Sequence, residues 1–206
     1  RQREFFRKYP SRVITSSLGG DRKSVVFLAI TLMKNSSTSI IILAAGNSSR
    51  LGLPKQLLHY KNKSLLRLIA EKAAEGKPAE VIVVLGSSAD QMQRELEGLP
   101  VRIVLNHEWT EGIASSIRAG ITAVHAKAEA ALMTVCDQPA VTTELLIQLI
   151  SSSSTQKPIA ATEYNQIIGV PACFHRSVFA ELLHLQGDAG AKRVIAHDRT
   201  RVLSYS

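Results

Sequence analysis

The sequence is poor in aromatic residues and in cysteine, and it lacks two common nucleotide-binding motifs. Aromatic side chains make up 5% of the 206 residues, and Cys136 and Cys173 are the only cysteines. Because both lie in apolar surroundings without the spacing of metal ligands, they exclude a disulfide scaffold and favour a reduced, cytosolic protein. Neither Gly-x-x-x-x-Gly-Lys-Ser/Thr nor Gly-x-Gly-x-x-Gly occurs, which argues against a P-loop and against a dinucleotide cofactor.

Long apolar runs are also absent, and the net charge of +8 is concentrated at one end. Residues 25–32 follow Arg22 and Lys23 as in an export signal, but no small-x-small cleavage pattern follows, and the run is too short to cross a bilayer. Residues 1–32 contain seven lysines and arginines against two acidic residues. The remainder has no basic stripe with interleaved aromatics, so the sequence predicts neither nucleic acid nor a membrane as a partner.

The basic segment differs in character from the rest of the chain. We expect residues 1–38 to be an extension that is disordered or not native to the fold, and residues 39–206 to form one domain. A domain of this size can bury a continuous core.

From residue 39 onward, apolar β-branched runs alternate with helical patterns. This alternation is typical of an α/β protein with a parallel sheet and right-handed crossovers, whose ligands bind beyond the carboxyl ends of the strands. The predicted strands are 39–44, 80–85, 101–105, 130–136, 158–162, 170–174 and 201–204, and the predicted helices are 64–74, 89–96, 113–126, 142–151, 177–185 and 190–196.

The segment from Leu43 to Leu57 is the most informative part of the chain. It follows an apolar run and turns through small residues, which let a ligand approach backbone N–H groups. Arg50 and Lys55 come next and supply positive charge for phosphate oxygens. The segment therefore predicts a site for a nucleoside triphosphate.

Two acidic residues are candidate metal ligands. Asp137 directly follows the strand predicted at 130–136, and Asp188 lies among small residues in Gly187-Asp188-Ala189-Gly190-Ala191. Magnesium takes oxygen ligands, commonly one or two carboxylates together with substrate phosphates. The alternatives are a turn or N-cap aspartate before Pro139 and an ordinary helix N-cap at Asp188. Similarly, Ser115 and Ser116 either cap a helix or bind a nucleoside.

Taken together, these segments resemble the sugar-nucleotide and cofactor nucleotidyltransferases. Their signature Leu-Ala-Ala-Gly-x-x-x-Arg-x-Gly-x-Pro-Lys is matched from Leu43 to Lys55. Within that superfamily the chain is most similar to the molybdenum-cofactor cytidylyltransferases, over about residues 39–204. The further motifs that carry this similarity are Pro54-Lys55-Gln56-Leu57-Leu58, Trp109-Thr110-Glu111-Gly112 with Ser115-Ser116, Cys136-Asp137-Gln138-Pro139, Gly169-Val170-Pro171 and Gly187-Asp188-Ala189-Gly190-Ala191.

The resemblance implies a Rossmann-like, three-layer α/β/α fold and a Mg²⁺-dependent reaction. In that reaction a substrate phosphate attacks the α-phosphorus of a nucleoside triphosphate and pyrophosphate leaves. It implies that Arg50 and Lys55 neutralise the triphosphate, that Asp137 is catalytic and binds the metal, and that Asp188 completes the metal site. The residues implied to bind the nucleotide are Leu43, Ala44, Ala45, Gly46, Arg50, Lys55 and Ser116.

The resemblance also bears on the substrates. Guanylyltransferase relatives carry glycines after the first Leu-Ala, whereas this chain has Ala44-Ala45-Gly46, so CTP is favoured over GTP. The expected activity is transfer of CMP to molybdopterin or its molybdenum-loaded form, with a molybdenum hydroxylase as a candidate partner. Two alternatives stay open: a related transferase that uses GTP or another phosphorylated acceptor, and a non-catalytic nucleotide- or cofactor-binding chaperone for a molybdenum hydroxylase.

Overall fold

The computed structural model describes residues 37–47 and 54–206 and contains a seven-stranded, mostly parallel sheet. The strand order is β5-β4-β1-β6-β8-β7-β9, and β2 and β3 form a separate two-stranded hairpin. The strands are β1 (Thr38–Ala44), β2 (His59–Tyr60), β3 (Lys63–Ser64), β4 (Glu80–Leu85), β5 (Arg102–Leu105), β6 (Ala130–Val135), β7 (Ile159–Tyr164), β8 (Ile167–His175) and β9 (Val202–Tyr205).

Helices cover both faces of the sheet. One core cluster packs α1, α2 and α4 against one face, and the other packs α3, α5 and α6 against the opposite face. This confirms the expected three-layer α/β/α architecture. The helices are α1 (Leu65–Glu75), α2 (Ala89–Glu95), α3 (Ile113–Ala123), α4 (Thr143–Ser152), α5 (Phe179–Leu183) and α6 (Lys192–His197), with short 3₁₀ turns at Lys55–Leu57, Trp109–Glu111, Arg176–Val178 and Arg199–Arg201.

Strand β1 lies in the interior of the sheet, between β4 and β6. All seven of its residues are buried, as expected for a strand with a helix layer on both faces. It pairs in parallel with β4 on one side and with β6 on the other, where Leu43 lies opposite Val84 and Val135 respectively. The loops that follow β1 and β6 therefore start side by side at one edge of the sheet.

The far half of the sheet departs from simple strand–helix alternation. Strand β8 runs antiparallel to β6 and to β7, whereas β7 and β9 are parallel. Strands β7 and β8 form a hairpin that turns through Asn165 and Gln166, both with positive φ. The sequence pattern predicts these two strands separately, at 158–162 and 170–174. Both strands are longer than predicted, because they continue to pair with each other up to the turn, where Tyr164 lies opposite Ile167.

Local signals fix two helix starts. Ser64 accepts a hydrogen bond from the Arg67 backbone N–H at 3.1 Å and caps α1. Thr142 does the same for α4, accepting from the backbone N–H of Leu145 at 3.3 Å. These caps satisfy backbone donors that the first turn leaves unpaired. Among the described residues, no helix is both long and apolar enough to cross a membrane.

Helix α3 lies against β1 at Gly120, so we expect a larger side chain there to destabilise the protein. A Cβ atom at Gly120 would lie 2.7 Å from Cγ2 of Ile41 and 3.3 Å from Cγ2 of Val84. The Gly120→Leu substitution should lower the free energy of unfolding by about 1–3 kcal/mol through overpacking. Guanidinium unfolding measures this. Thr122→Leu, on the exposed side of the same helix, is the control and should change it by less than about 0.5 kcal/mol. If Gly120→Leu unfolded with the same free energy as the wild-type protein, the close packing of α3 against β1 would be contradicted.

Candidate active site

A cavity of about 710 Å³ opens at the carboxyl ends of β1 and β6. This is the edge of the sheet at which ligands bind in folds of this kind. Four separate segments of the chain form its walls: the loop after β1 and the 3₁₀ turn that follows, the start of α3, the loop after β6, and the loop before α6. The lining residues are Leu43, Ala45, Gly46, Asn47, Lys55, Gln56, Trp109, Thr110, Gly112, Ile113, Ser116, Val135, Cys136, Asp137 and Asp188.

Most of the residues singled out from the sequence meet in this cavity. The exceptions are Ala44, Ser115 and Arg50. Ala44 is buried in the core cluster on the other face of the sheet, because successive side chains of a strand point to opposite faces. Arg50 lies outside the described residues. The residues that the fold brings together are Leu43, Ala45, Gly46, Lys55, Ser116, Asp137 and Asp188.

Gln56 holds the start of the loop after β1. Its side chain is only 4% exposed, and Nε2 donates hydrogen bonds to the backbone carbonyls of Ala44 at 2.9 Å and of Gly46 at 2.6 Å. A buried amide that satisfies two carbonyls is costly to replace, since the carbonyls would lose their partner. In the sequence, Gln56 stands out only as part of the motif Pro54-Lys55-Gln56-Leu57-Leu58, and its position beside Lys55 is the signal that could have identified it.

Lys55 and Asp137 form an ion pair across the cavity. Lys55 Nζ lies 3.2 Å from Asp137 Oδ2, and the two side chains are 45% and 43% exposed. Water screens a pair with this exposure, so it contributes at most about 1 kcal/mol. The pair places a cation and an anion of the predicted site in direct contact. The N-cap of α4 is Thr142, which removes the alternative in which Asp137 caps that helix.

A lysine from α1 holds the loop after Asp137. Lys72 Nζ donates to the carbonyl oxygens of Pro139 at 2.9 Å and of Val141 at 2.5 Å. Burial, and then the charge of Lys61, lower the pKa of Lys72 from its usual value. The loop that begins at Asp137 is thus bonded to the helix packed beneath it.

Asp188 lies against the start of α3. A Cβ atom at Gly112, whose φ is +122°, would lie 2.5 Å from the backbone C and O of Gly187 and 2.6 Å from Asp188 Oδ1. Glycine is required here both by the backbone conformation and by this close approach. Ala191, and not Asp188, is the N-cap of α6, so the helix-capping alternative for Asp188 is wrong.

A buried asparagine organises the two serines at the start of α3. Asn106 Nδ2 donates to Ser115 Oγ at 2.8 Å and to Ser116 Oγ at 3.0 Å, and Ser115 Oγ donates to the Gly112 carbonyl at 2.9 Å. The N-cap of α3 is Gly112, without a side-chain cap, so neither serine caps the helix. Asn106 was missed from the sequence, although it directly follows β5 at the ligand-binding edge of the sheet.

The oxygen atoms in the cavity suit a hard divalent cation. Asp137 and Asp188 both line it, and Mg²⁺ typically binds one or two carboxylates while keeping waters or substrate phosphates as its other ligands. Over residues 37–47 and 54–206, no group of three or more His, Cys, Asp or Glu side chains is arranged to hold a metal ion by itself. The donor set therefore fits a metal shared with a substrate.

This topology and this site are those of the α/β nucleotidyltransferases. The chain belongs to the family described as the MobA-like NTP transferase domain, whose model matches residues 40–202.

Two curated relatives match part of the chain. A protein named nicotine blue oxidoreductase from Paenarthrobacter nicotinovorans is 38% identical over 113 residues, covering 54% of this chain and 55% of that protein. A probable molybdenum cofactor guanylyltransferase from Bacillus mycoides is 27% identical over 116 residues, covering 56% of each. The chain thus spans about half the length of these two curated relatives.

Solved structures share the fold over most of the chain. Rv0371c from Mycobacterium tuberculosis H37Rv superposes with a TM-score of 0.73 and 29% identity, covering 83% of this chain and 88% of that one. The complex of Rv0371c with manganese superposes with a TM-score of 0.66 and 28% identity, covering 82% and 87%. Manganese has therefore been observed in complex with a similar protein.

Cys136 lines the cavity, and its side chain is buried. Burial, and then the charge of Asp137, raise the pKa of its thiol to about 12. Since the thiolate is the reactive form, iodoacetamide at pH 8 should label Cys136 far more slowly in the native protein than in guanidinium. Peptide mass spectrometry after timed quenching measures both rates. Comparable rates in the two states would contradict the burial of this thiol.

Proposed function

We propose that the protein is a Mg²⁺-dependent cytidylyltransferase that transfers CMP from CTP to the phosphate of a molybdopterin-type acceptor and releases pyrophosphate. The observation that carries this proposal is the single cavity that brings Lys55, Asp137 and Asp188 beside the glycine-containing loop after β1. Membership of the MobA-like family and the relative named as a guanylyltransferase support the reaction class.

The reaction needs alignment and charge stabilisation from the protein. A phosphate oxygen of the acceptor attacks the α-phosphorus of CTP, a new P–O bond forms, and the bond to the β-phosphate oxygen breaks. Lys55 offsets the negative charge that grows on the departing pyrophosphate, and Ser116, which lines the cavity, would contact the nucleoside. No general base is required, because the attacking phosphate is already an anion.

Asp137 and Asp188 are the residues that would hold the metal. When bound, a divalent cation supplies charge neutralisation and orients the phosphate oxygens. Gln56 and Lys72 act at a distance from the reacting atoms: the first bonds the loop after β1, and the second bonds the loop that begins at Asp137. The start of the loop after β1 and the loop that begins at Asp137 are thereby held in place before substrate binds, which lowers the entropy cost of binding.

The proposed preference for CTP rests on the width of the cavity beside the loop. The side chain of Ala45 lines the cavity, whereas Ala44 points into the opposite core. A methyl group at position 45 takes space that a glycine would leave for a purine base. Of the two alanines, only Ala45 can therefore contribute to a preference for a pyrimidine.

The relative named nicotine blue oxidoreductase favours a second candidate. Its identity of 38% over 113 residues is compatible with an oxidoreductase, or with a nucleotide-binding protein that delivers cofactor to a molybdenum hydroxylase. Either function would need the cavity but not a metal bound by both carboxylates. Cytoplasmic location stays an expectation from the two cysteines.

The first experiment measures pyrophosphate release from purified protein with Mg²⁺ and molybdopterin, comparing CTP, GTP, ATP and UTP. We expect release with CTP and loss of most activity in the Asp137→Asn variant, which keeps the shape of the side chain but loses the charge. Release with GTP alone would overturn the base preference. No release with any of the four, despite binding of the triphosphate, would contradict transfer to this acceptor.

The ion pair between Lys55 and Asp137 predicts opposite effects on metal and on nucleotide. In Lys55→Met, Asp137 loses its cationic partner, so we expect Mn²⁺ alone to bind up to about five times more tightly, the equivalent of about 1 kcal/mol. CTP should bind more weakly, because a phosphate partner is lost. Titration calorimetry with each ligand measures both. Lys127→Met, which removes an exposed charge at the opposite end of β6, is the control. If Lys55→Met changed the affinities for Mn²⁺ and for CTP in the same direction, the prediction would be contradicted.

A further inference from the structure

A second ion pair lies directly behind the loop that carries Asp188. Arg118 of α3 donates from Nη1 to Glu111 Oε1 at 2.9 Å and from Nη2 to Glu111 Oε2 at 2.5 Å. This two-bond arrangement fixes the orientation of both planar groups. The Arg118 hydrogen bonds lower the pKa of Glu111, so the carboxylate stays ionised at neutral pH.

The pair is bonded to the loop backbone at both of its ends. Arg118 Nη1 also donates to the carbonyl of Leu185 at 2.8 Å, and the backbone N–H of Gly187 donates to Glu111 Oε1 at 3.3 Å. A third bond runs from the Ala114 N–H to the Gly187 carbonyl at 3.0 Å. Asp188 is the next residue along the chain, so its position depends on these three contacts.

The two sides of the loop offer very different amounts of space. On the active-site side, Gly112 leaves no room for even a Cβ atom against Gly187 and Asp188. On the other side lies a second cavity of about 660 Å³, whose walls include Glu111, Arg118 and Gly187. Without the ion pair the loop has open space to move into, and that movement would carry Asp188 away from the cavity.

We propose that Arg118, together with Glu111, is a positioning residue that holds the Asp188 carboxylate in place for metal binding. The inference rests on the proposed function, since it requires Asp188 to be a metal ligand. Residues that orient metal ligands through hydrogen bonds typically change metal affinity by roughly 10- to 100-fold when they are removed.

The test is the affinity of the CTP complex for Mn²⁺, measured by electron paramagnetic resonance of the free ion. Arg118→Met should weaken Mn²⁺ binding by about 10-fold or more, whereas the affinity for CTP without metal should change little. Arg67→Met is the matched control. Arg67 also pairs with a glutamate, Glu71, and donates to loop carbonyls at Glu95 and Glu97, but it lies outside the active-site cavity.

A double-mutant cycle separates positioning from a general loss of stability. In the Asp188→Asn background, Arg118→Met should cause no further loss of Mn²⁺ affinity, because the carboxylate that it positions is already gone. Glu111→Gln is a second variant for use if Arg118→Met unfolds. It retains an oxygen that can accept from Gly187 but loses the charge, and it should give a smaller loss of affinity.

The outcomes distinguish the two proposals. If wild type binds Mn²⁺ and CTP together but Arg118→Met binds Mn²⁺ equally well, or if the losses add in the Asp188→Asn background, the positioning role is wrong and the proposed function stands. If the wild-type protein with CTP binds no Mn²⁺ at all, the proposed metal-dependent function fails, and the positioning role fails with it.

Discussion

The whole site depends on the burial and parallel pairing of β1. This strand is covered by helices on both faces and is hydrogen-bonded to β4 and β6 along its length, so neither its register nor its direction can change without exposing the core. Because Leu43 lies opposite Val135, the loops that contain Gly46 and Asp137 begin at the same level. The first residues of both loops therefore extend from a rigid support, which is an arrangement that places functional groups reproducibly.

Charge in the site is arranged in two layers. Lys55 and Asp137 face the cavity and each other, where substrate and metal would compete for them. Behind them, Lys72 and Arg118 each donate to backbone carbonyls of a loop that carries a carboxylate. The inner pair is exposed, so a ligand can replace either partner, whereas the outer cations are bonded to backbone carbonyls of the loops. Cationic side chains thus face the ligand in the inner layer and fix the positions of loops in the outer layer.

The sequence predicted the α/β fold and most of its elements, because buried parallel strands and amphipathic helices leave strong periodic signals. It did not predict the antiparallel β8, since strand direction depends on a hairpin turn at Asn165 and Gln166 whose pattern is weak. Seven predicted site residues meet in the cavity; Gly46 and Asp137 were predictable from their places after strand ends, whereas Asp188 lies in the loop between α5 and α6. Gln56 and Asn106 were missed as positioning groups, because a polar side chain becomes buried only through contacts between distant segments. Ala44 was included because the loop motif does not show which face each residue takes.

The Asn106 amide has a consequence for what the wall at α3 can recognise. Asn106 donates hydrogen bonds to both serine hydroxyls, and the Ser115 hydroxyl donates a hydrogen bond to the Gly112 carbonyl. Ser116 receives a hydrogen and, within the described part of the chain, bonds through its own hydrogen to no acceptor, so it offers that hydrogen to the cavity. The Asn106 amide therefore leaves the hydrogen of Ser116 available to a ligand atom with a lone pair, such as a sugar or carbonyl oxygen.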